Sequence, residues 1–184
     1  LKRLEILHQN KKDIPGLRTG FDKFDELTAG LQNSELIIIA GRPGMGKTTF
    51  ALNVAEFVTI YSKKPVAIIS LEMAKEALMT RFLASIAKVK GQELRKGFFK
   101  PSDWTALTNA AGKIGTSPIY ISDTTEMNAI ELRAASRKLA MKLEKKGTPL
   151  SLIIIDYLQL LKDSGSGKKF ESKQIETAEI SRSL

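Results

Sequence analysis

The chain has 184 residues, 42% of them hydrophobic, which is enough for one domain with its own apolar core. It contains no cysteine and a single histidine, His8, which excludes a disulfide framework, a thiolate metal site and a histidine-rich metal centre. No apolar stretch approaches the roughly 20 residues that cross a bilayer, and no signal peptide is visible, so we expect no membrane segment and a cytoplasmic location. The net charge of +9 favours a polyanionic partner such as nucleic acid, although a generally basic surface would give the same total.

The chain opens with an amphipathic segment in which Leu1, Leu4 and Leu7 share one helical face. We predict a short helix over residues 1–12 that docks on another surface, because a helix of this length is marginal alone. The sequence starts without methionine and stops at Leu184, inside an apparent helix, so we expect it to be a piece of a longer protein.

An apolar run at residues 36–40 predicts a buried strand, and it leads directly into a glycine-rich loop. Residues 41–48 fit the pattern G-x-x-x-x-G-K-[ST] at every fixed position, and helical spacing of apolar residues resumes at Thr49. Strand, loop and helix in this order are the context that distinguishes a phosphate site from a chance glycine-rich turn. We predict that nucleotide is bound by nine consecutive residues: Gly41, Arg42, Pro43, Gly44, Met45, Gly46, Lys47, Thr48 and Thr49.

Each residue type in this loop suits a nucleoside triphosphate, which is a polyanion. Backbone N–H groups and the positive end of the following helix supply a cradle for phosphate oxygens. Gly41, Gly44 and Gly46 allow close backbone approach and positive φ. Lys47 adds a mobile positive charge for the β- and γ-phosphates, and the hydroxyl of Thr48 is placed for Mg²⁺, which prefers oxygen ligands.

Three further apolar strands are predicted, at residues 66–71, 117–123 and 150–155. Helices are predicted at residues 47–61, 75–88, 92–99, 101–114, 128–146 and 175–184. Continuous apolar strands that alternate with amphipathic helices indicate an α/β fold, with a mostly parallel sheet covered by helices on both faces.

Acidic residues stand at the carboxyl ends of these strands, where such sheets bind ligands. Asp156 closes an apolar strand downstream of the phosphate loop and is the expected second Mg²⁺ anchor, directly or through water, with a turn or capping role as the alternative. The next residue is Tyr157, where many phosphate-loop ATPases have a catalytic glutamate. The predicted catalytic base is therefore Glu72, and the alternative is that Glu72 caps a helix. Asp123 begins Asp-Thr-Thr-Glu, which fits a capping turn, and we interpret it as structural.

Three stretches together resemble one family. The phosphate loop, Ser-Leu-Glu-Met at 70–73 and Ile-Asp-Tyr-Leu-Gln-Leu at 155–160 are similar to the ATPase domain of the bacterial replicative DNA helicase, DnaB. The resemblance covers nearly the whole chain. It implies a linker helix at residues 1–12 and a RecA-like P-loop NTPase core at residues 13–184 that is incomplete at its C-terminus. It also implies a homo-hexameric ring with ATP between subunits and single-stranded DNA in the central channel.

The same resemblance implies the roles of individual residues. Lys47 acts in catalysis and, with Thr48, binds phosphate and Mg²⁺, Glu72 is the catalytic base, and Asp156 is the Walker B aspartate. The loop after Asp156 is implied to face DNA, although a solvated turn fits its residues equally well. Its lysines are Lys162, Lys168, Lys169 and Lys173.

The arginine finger, the γ-phosphate sensor and the parts that contact primase and a helicase loader are implied to lie outside this sequence. We therefore expect the chain alone to bind nucleotide but to hydrolyse it slowly. The leading interpretation is an ATP-driven motor that translocates on single-stranded DNA and unwinds duplex at the replication fork. A RecA- or RadA-like recombination ATPase and a nucleotide-switched binding protein are the alternatives. Glu72→Gln separates a motor, which needs hydrolysis, from a switch, which needs only binding.

Overall fold

The structure is a computed structural model that describes residues 14–97, 100–124 and 127–157. These residues form two compact units, the first ending at Val58 and the second beginning at Thr59. The predicted linker helix, the lysine-bearing loop and the predicted helix at residues 175–184 lie outside the described residues. Among the helices that are described, none is both long and apolar enough to cross a membrane.

From residue 14 onward, the first unit contains two α-helices, α1 (Asp22–Thr28) and α2 (Lys47–Glu56). Helix α2 continues as one π-helical segment over Phe57–Tyr61. Aromatic rings join α1 to α2: Phe21, just before α1, stacks on Phe50 with ring centroids 4.9 Å apart, and Phe24 meets the same ring edge-on at 5.8 Å. The beginning of α2 is therefore packed against the beginning of α1.

The strand predicted at residues 36–40 is not formed, so that prediction was wrong. Within the described residues this segment pairs with no strand, and its apolar side chains are exposed to 43–61% (Leu36, Ile37, Ile38 and Ile39). Apolar composition favours burial, but a strand also needs a neighbour whose backbone N–H and C=O groups pair with its own. No segment in the described part of the first unit supplies that neighbour.

The second unit contains a parallel sheet, of which the structure describes three strands. They are β1 (Val66–Ser70), β2 (Ile119–Ser122) and β3 (Leu152–Asp156), in the spatial order β2-β1-β3. All five residues of β1 are buried, because the strand is apolar and has a paired neighbour on each side. The predicted strands at 66–71, 117–123 and 150–155 are thereby confirmed.

Helices cover both faces of this sheet. The connection from β1 to β2 contains α3 (Lys75–Ala87), α4 (Gly91–Lys96) and α5 (Pro101–Gly115), and α6 (Ala129–Glu144) connects β2 to β3. Because β2 and β3 flank β1 on opposite sides, right-handed crossovers put α3–α5 on one face and α6 on the other. This arrangement confirms the predicted α/β fold class.

Side chains from β1 and α6 form a buried cluster behind the carboxyl edge of the sheet. Its members are Ile69, Leu71, Met127 and Leu132, with Ile155 of β3 packed against them. The cluster fixes the end of β1 against α6, so the backbone that leaves β1 begins from a well-packed position.

Helices α5 and α6 both begin with a carboxylate that bonds back to the preceding backbone. Asp103 Oδ2 accepts the N–H of Lys100 at 2.9 Å, and Glu131 Oε2 accepts the N–H of Asn128 at 3.0 Å. Such bonds satisfy N–H groups that have no partner inside the helix.

Burial of α3 is testable with a matched pair of leucines. Leu78 in α3 is 1% exposed and Leu27 in α1 is 87% exposed. Leu78→Ala should lower the free energy of unfolding by about 2–5 kcal/mol, because it removes buried methyl groups and leaves a cavity. Leu27→Ala should change it by less than about 0.5 kcal/mol. Urea unfolding followed by circular dichroism measures both, and equal losses would contradict the packing of α3.

Candidate active site

The glycine-rich loop lies in the first unit and leads straight into α2. Helix α2 begins at Lys47, and its N-cap is Gly46 with φ 88°. Gly44 has φ 79°, and a Cβ added at Gly44 or Gly46 would meet no atom within 4 Å. The left-handed backbone conformation, rather than crowding, therefore requires glycine at these two positions.

The side chain of Lys47 closes this loop. Its Nζ donates to the carbonyl oxygen of Gly41 at 2.8 Å and to that of Arg42 at 3.2 Å. The Arg42 oxygen also accepts the N–H of Met45 at 3.3 Å, which bends the loop. An ammonium held by neutral carbonyls can transfer to phosphate oxygens, because charge-assisted hydrogen bonds are stronger than bonds to neutral acceptors.

A buried carboxylate stabilises the turn that packs on α2. Asp25 is 0% exposed, and its Oδ1 accepts the N–H of Thr19 at 2.9 Å and the Thr19 hydroxyl at 2.7 Å. Its Oδ2 accepts the N–H of Gly20 at 3.3 Å. A Cβ on Gly20 would lie 2.6 Å from ring atoms of Phe57, so the turn touches the π-helical end of α2. The Thr19–Asp25 pair thus braces the helix that carries the loop.

Sequence reasoning missed the role of Asp25. An acid six residues after a threonine matches no local capping or helix-pair spacing. No feature of the sequence around Asp25 identifies its partner.

Glu72 and Asp156 lie at the same edge of the sheet in the second unit. Ser70 of β1 is in register with Asp156 of β3, and the N–H of Leu71 donates to the Asp156 carbonyl at 2.8 Å. Asp156 is 9% exposed, whereas Glu72 is exposed to solvent. One acid is thus held against the sheet and the other is presented on the turn just beyond it.

The turn that carries Glu72 has two side-chain supports that the sequence did not reveal. The buried hydroxyl of Ser70 donates to the Met73 carbonyl at 2.8 Å and is bonded by the Met73 N–H at 3.0 Å. Asp123 Oδ2 accepts the N–H of Lys75, the first residue of α3, at 3.0 Å. Asp123 therefore caps a helix that begins 48 residues earlier in the chain.

The predicted Mg²⁺ ligands are of the right chemical type. Thr48 offers a hydroxyl and Asp156 a carboxylate, and Mg²⁺ is usually held by one or two carboxylates together with substrate phosphates and water. In the part of the chain that the structure describes, no three or more His, Cys, Asp or Glu side chains cluster as a metal cage. A hydroxyl and a carboxylate are each suited to an ion that arrives with nucleotide phosphates. The four predicted DNA-binding lysines lie outside the described residues.

Removal of the Asp25 carboxylate tests the brace on α2. Asp25→Ala should lower the free energy of unfolding by about 2–4 kcal/mol, because several buried donors lose their acceptor. Asp25→Asn, which keeps one acceptor oxygen, should cost less. Asp22→Ala, an exposed acid in the same helix, should cost less than about 1 kcal/mol. Urea titration measures all three, and an Asp25→Ala loss no larger than that of Asp22→Ala would contradict the brace.

Comparison with known proteins identifies the family. The family described as DnaB-like helicase C terminal domain matches residues 16–184. The replicative DNA helicase DnaB of Geobacillus stearothermophilus is 44% identical to this chain over 181 residues. The aligned region covers 98% of this chain and 38% of that relative. The solved structure of a DnaB-like replicative helicase, described with its interactions with primase, matches with a TM-score of 0.85 and 29% identity, over 100% of this chain and 42% of that one.

A second solved structure, described as an ATPase domain, matches equally well, with a TM-score of 0.85 and 29% identity over 100% of this chain and 63% of that one. Both neighbours match this chain over its whole length with a TM-score of 0.85, so the predicted RecA-like α/β fold is confirmed. From the family match over residues 16–184 and this shared fold it follows that the chain belongs to the DnaB-like helicase C-terminal domain family.

Proposed function

We propose that this chain is the ATP-hydrolysing motor domain of a replicative DNA helicase. The observation that carries the proposal is the glycine-rich loop closed by Lys47 at the start of α2, in a chain of the DnaB-like family. One structural neighbour is described as an ATPase domain, which supports nucleotide hydrolysis as the reaction. Because the chain spans 38% of the first relative, the activity of the whole protein remains part of this proposal.

Nucleotide binding uses the loop and the first turn of α2. Backbone N–H groups of the glycine-rich loop and of the first turn of α2 would face the phosphate oxygens, and the positive end of α2 favours their negative charge. The ammonium of Lys47 exchanges the Gly41 and Arg42 carbonyls for oxygens of the β- and γ-phosphates.

Hydrolysis uses the two acids at the edge of the sheet. Thr48 and Asp156 would each serve as a ligand of Mg²⁺, directly or through water, and the ion would supply positive charge to neutralise the phosphates. Glu72 orients a water molecule and accepts its proton as the water oxygen bonds to the γ-phosphorus. The bond from that phosphorus to the β–γ bridging oxygen breaks, and ADP and inorganic phosphate leave.

Work on DNA uses parts of the chain beyond those described. The segment that contacts the backbone of single-stranded DNA is, in this proposal, the one that carries Lys162, Lys168, Lys169 and Lys173. The net charge of +9 is in keeping with such a contact. A homo-hexamer, a primase and a helicase loader are the proposed protein partners, and the solved neighbour described with primase supports the second of these. The helicase family match favours a helicase over a recombination ATPase.

Loss of the Lys47 ammonium tests nucleotide binding. Lys47→Ala should weaken binding of a fluorescent ATP analogue by about 10–100-fold, because charge-assisted hydrogen bonds contribute about 1.5–3 kcal/mol. Lys64→Ala removes an equal charge from an exposed site outside the loop and should leave the affinity unchanged. Equal affinities for the two variants would exclude the loop as the phosphate site.

Glu72→Gln tests hydrolysis and work together. In the full-length gene product that carries this sequence, the variant should bind ATP normally, while turnover falls by about 10²–10⁴-fold and strand displacement on a forked DNA is lost. Glu144→Gln, an exposed glutamate at the end of α6, is the matched control and should keep both activities.

Three results of this experiment would redirect the proposal. Retained turnover in Glu72→Gln would remove Glu72 from the catalytic role. Normal function without turnover would indicate a nucleotide-switched binding protein. Turnover and DNA binding without displacement in the unmodified protein would favour the recombination ATPase, which electron microscopy would reveal as filaments.

A further inference from the structure

The turn of Glu72 is anchored to both neighbouring strands. On its upstream side, the N–H of Leu71 donates to the carbonyl of Asp156 on β3 at 2.8 Å. On its downstream side, the N–H of Lys75 donates to Oδ2 of Asp123, the residue that follows β2, at 3.0 Å. Between these anchors, the Ser70 hydroxyl closes the turn on both polar groups of Met73. The four residues 71–74 therefore span the sheet edge with a support on each side.

The downstream anchor has no substitute within α3. Helix α3 has Ala74 as its N-cap, which cannot accept a hydrogen bond through its side chain. The N–H groups of a first helical turn lack partners inside the helix, so this turn is where a helix frays first. A carboxylate at this end also interacts favourably with the positive end of the helix. Asp123 supplies the missing cap from another strand.

We propose that Asp123 is a positioning residue for Glu72. This inference rests on the proposed role of Glu72 as catalytic base. By holding the N–H of Lys75, Asp123 fixes the start of α3 and, three residues earlier, the backbone of Glu72. An exposed glutamate side chain already has several rotatable bonds. Its carboxylate can be held in position only if the backbone of Glu72 does not move as well. Displacement of a catalytic group by about 1 Å can lower a rate by about 100-fold.

The first test removes the acceptor. In the full-length gene product, Asp123→Ala should lower kcat for ATP by about 10–100-fold. The KM for ATP should stay within about twofold, because the phosphate loop is untouched. Asp123→Asn should restore most of kcat, since its amide oxygen can accept the same N–H. A purely structural role does not predict the split between kcat and KM.

Asp103 provides the matched control. Its Oδ2 accepts a backbone N–H at the start of α5, at 2.9 Å, so it makes the same kind of bond in the same unit but not beside Glu72. Asp103→Ala should reduce thermal stability about as much as Asp123→Ala while leaving kcat unchanged. An equal fall of kcat in both variants would mean that general destabilisation is the cause and would overturn the proposal.

The second test removes the donor, the Lys75 N–H, and is informative even if the Asp123→Ala variant does not fold. Lys75 is the first residue of α3, and Ala74 has φ −62° and ψ 149°, a conformation that suits a residue before proline. Lys75→Pro therefore keeps the helix start while deleting the N–H that Asp123 binds. Its kcat should fall as in Asp123→Ala, whereas Lys75→Ala, which loses only the side-chain charge, should resemble the unmodified protein. If Lys75→Pro and Lys75→Ala have the same kcat, Asp123 does not act through this bond.

Glu72→Gln separates failure of this inference from failure of the proposed function. If Glu72→Gln retains turnover, Glu72 is not the base and the positioning role falls with it. If Glu72→Gln loses turnover but Asp123→Ala matches Asp103→Ala, only the positioning role is wrong. If both effects appear, the double variant with Glu72→Gln should be no slower than Glu72→Gln alone, because a residue that acts through Glu72 adds nothing once that carboxylate is gone.

Discussion

The backbone hydrogen bonds between β1 and its two neighbours determine where the acids of the second unit lie. Parallel register pairs Ser70 with Asp156 on one side and Ile69 with Ser122 on the other. Residues that leave the strands at their carboxyl ends are consequently brought to one edge, whatever their separation along the chain. A shift of β3 by one residue would turn the Asp156 side chain to the opposite face of the sheet. The chemistry proposed for this edge thus depends on pairing between apolar strands.

The glycine-rich loop depends on a different feature: positive charge is concentrated in a short segment of the chain. The first N–H groups of α2, the ammonium of Lys47 and the side chain of Arg42 all belong to one short stretch of the chain. Carbonyl oxygens of Gly41 and Arg42 partly satisfy the ammonium. They are neutral acceptors, so the loop retains a net attraction for an anion. This uncompensated positive charge is the property that the proposed nucleotide binding would use.

Most of the fold and part of the site followed from local sequence patterns. Buried strands are short apolar runs, and the left-handed Gly46 stands at a fixed position of the glycine-rich motif, so both were predictable. Features that depend on two distant segments were not. The segment at residues 36–40 has the composition of a strand, but its state depends on a pairing partner that composition does not encode. Asp123 fitted a local capping turn, and only the folded sheet shows that it caps α3. The partners of Asp25 were equally hidden, because its donors precede its own helix.

The exposed segment at residues 36–39 also affects how the chain behaves in concentrated solution. Four consecutive aliphatic side chains, three of them β-branched isoleucines, combine high strand propensity with no charge and no proline. Backbone groups of such a segment can pair with the same segment of another molecule, which is the usual first step of sheet-mediated aggregation. The charged residues on either side, Glu35 and Arg42, act as gatekeepers that oppose this pairing only at its ends. Self-association through this segment is therefore an aggregation risk, and the segment lies next to the glycine-rich loop.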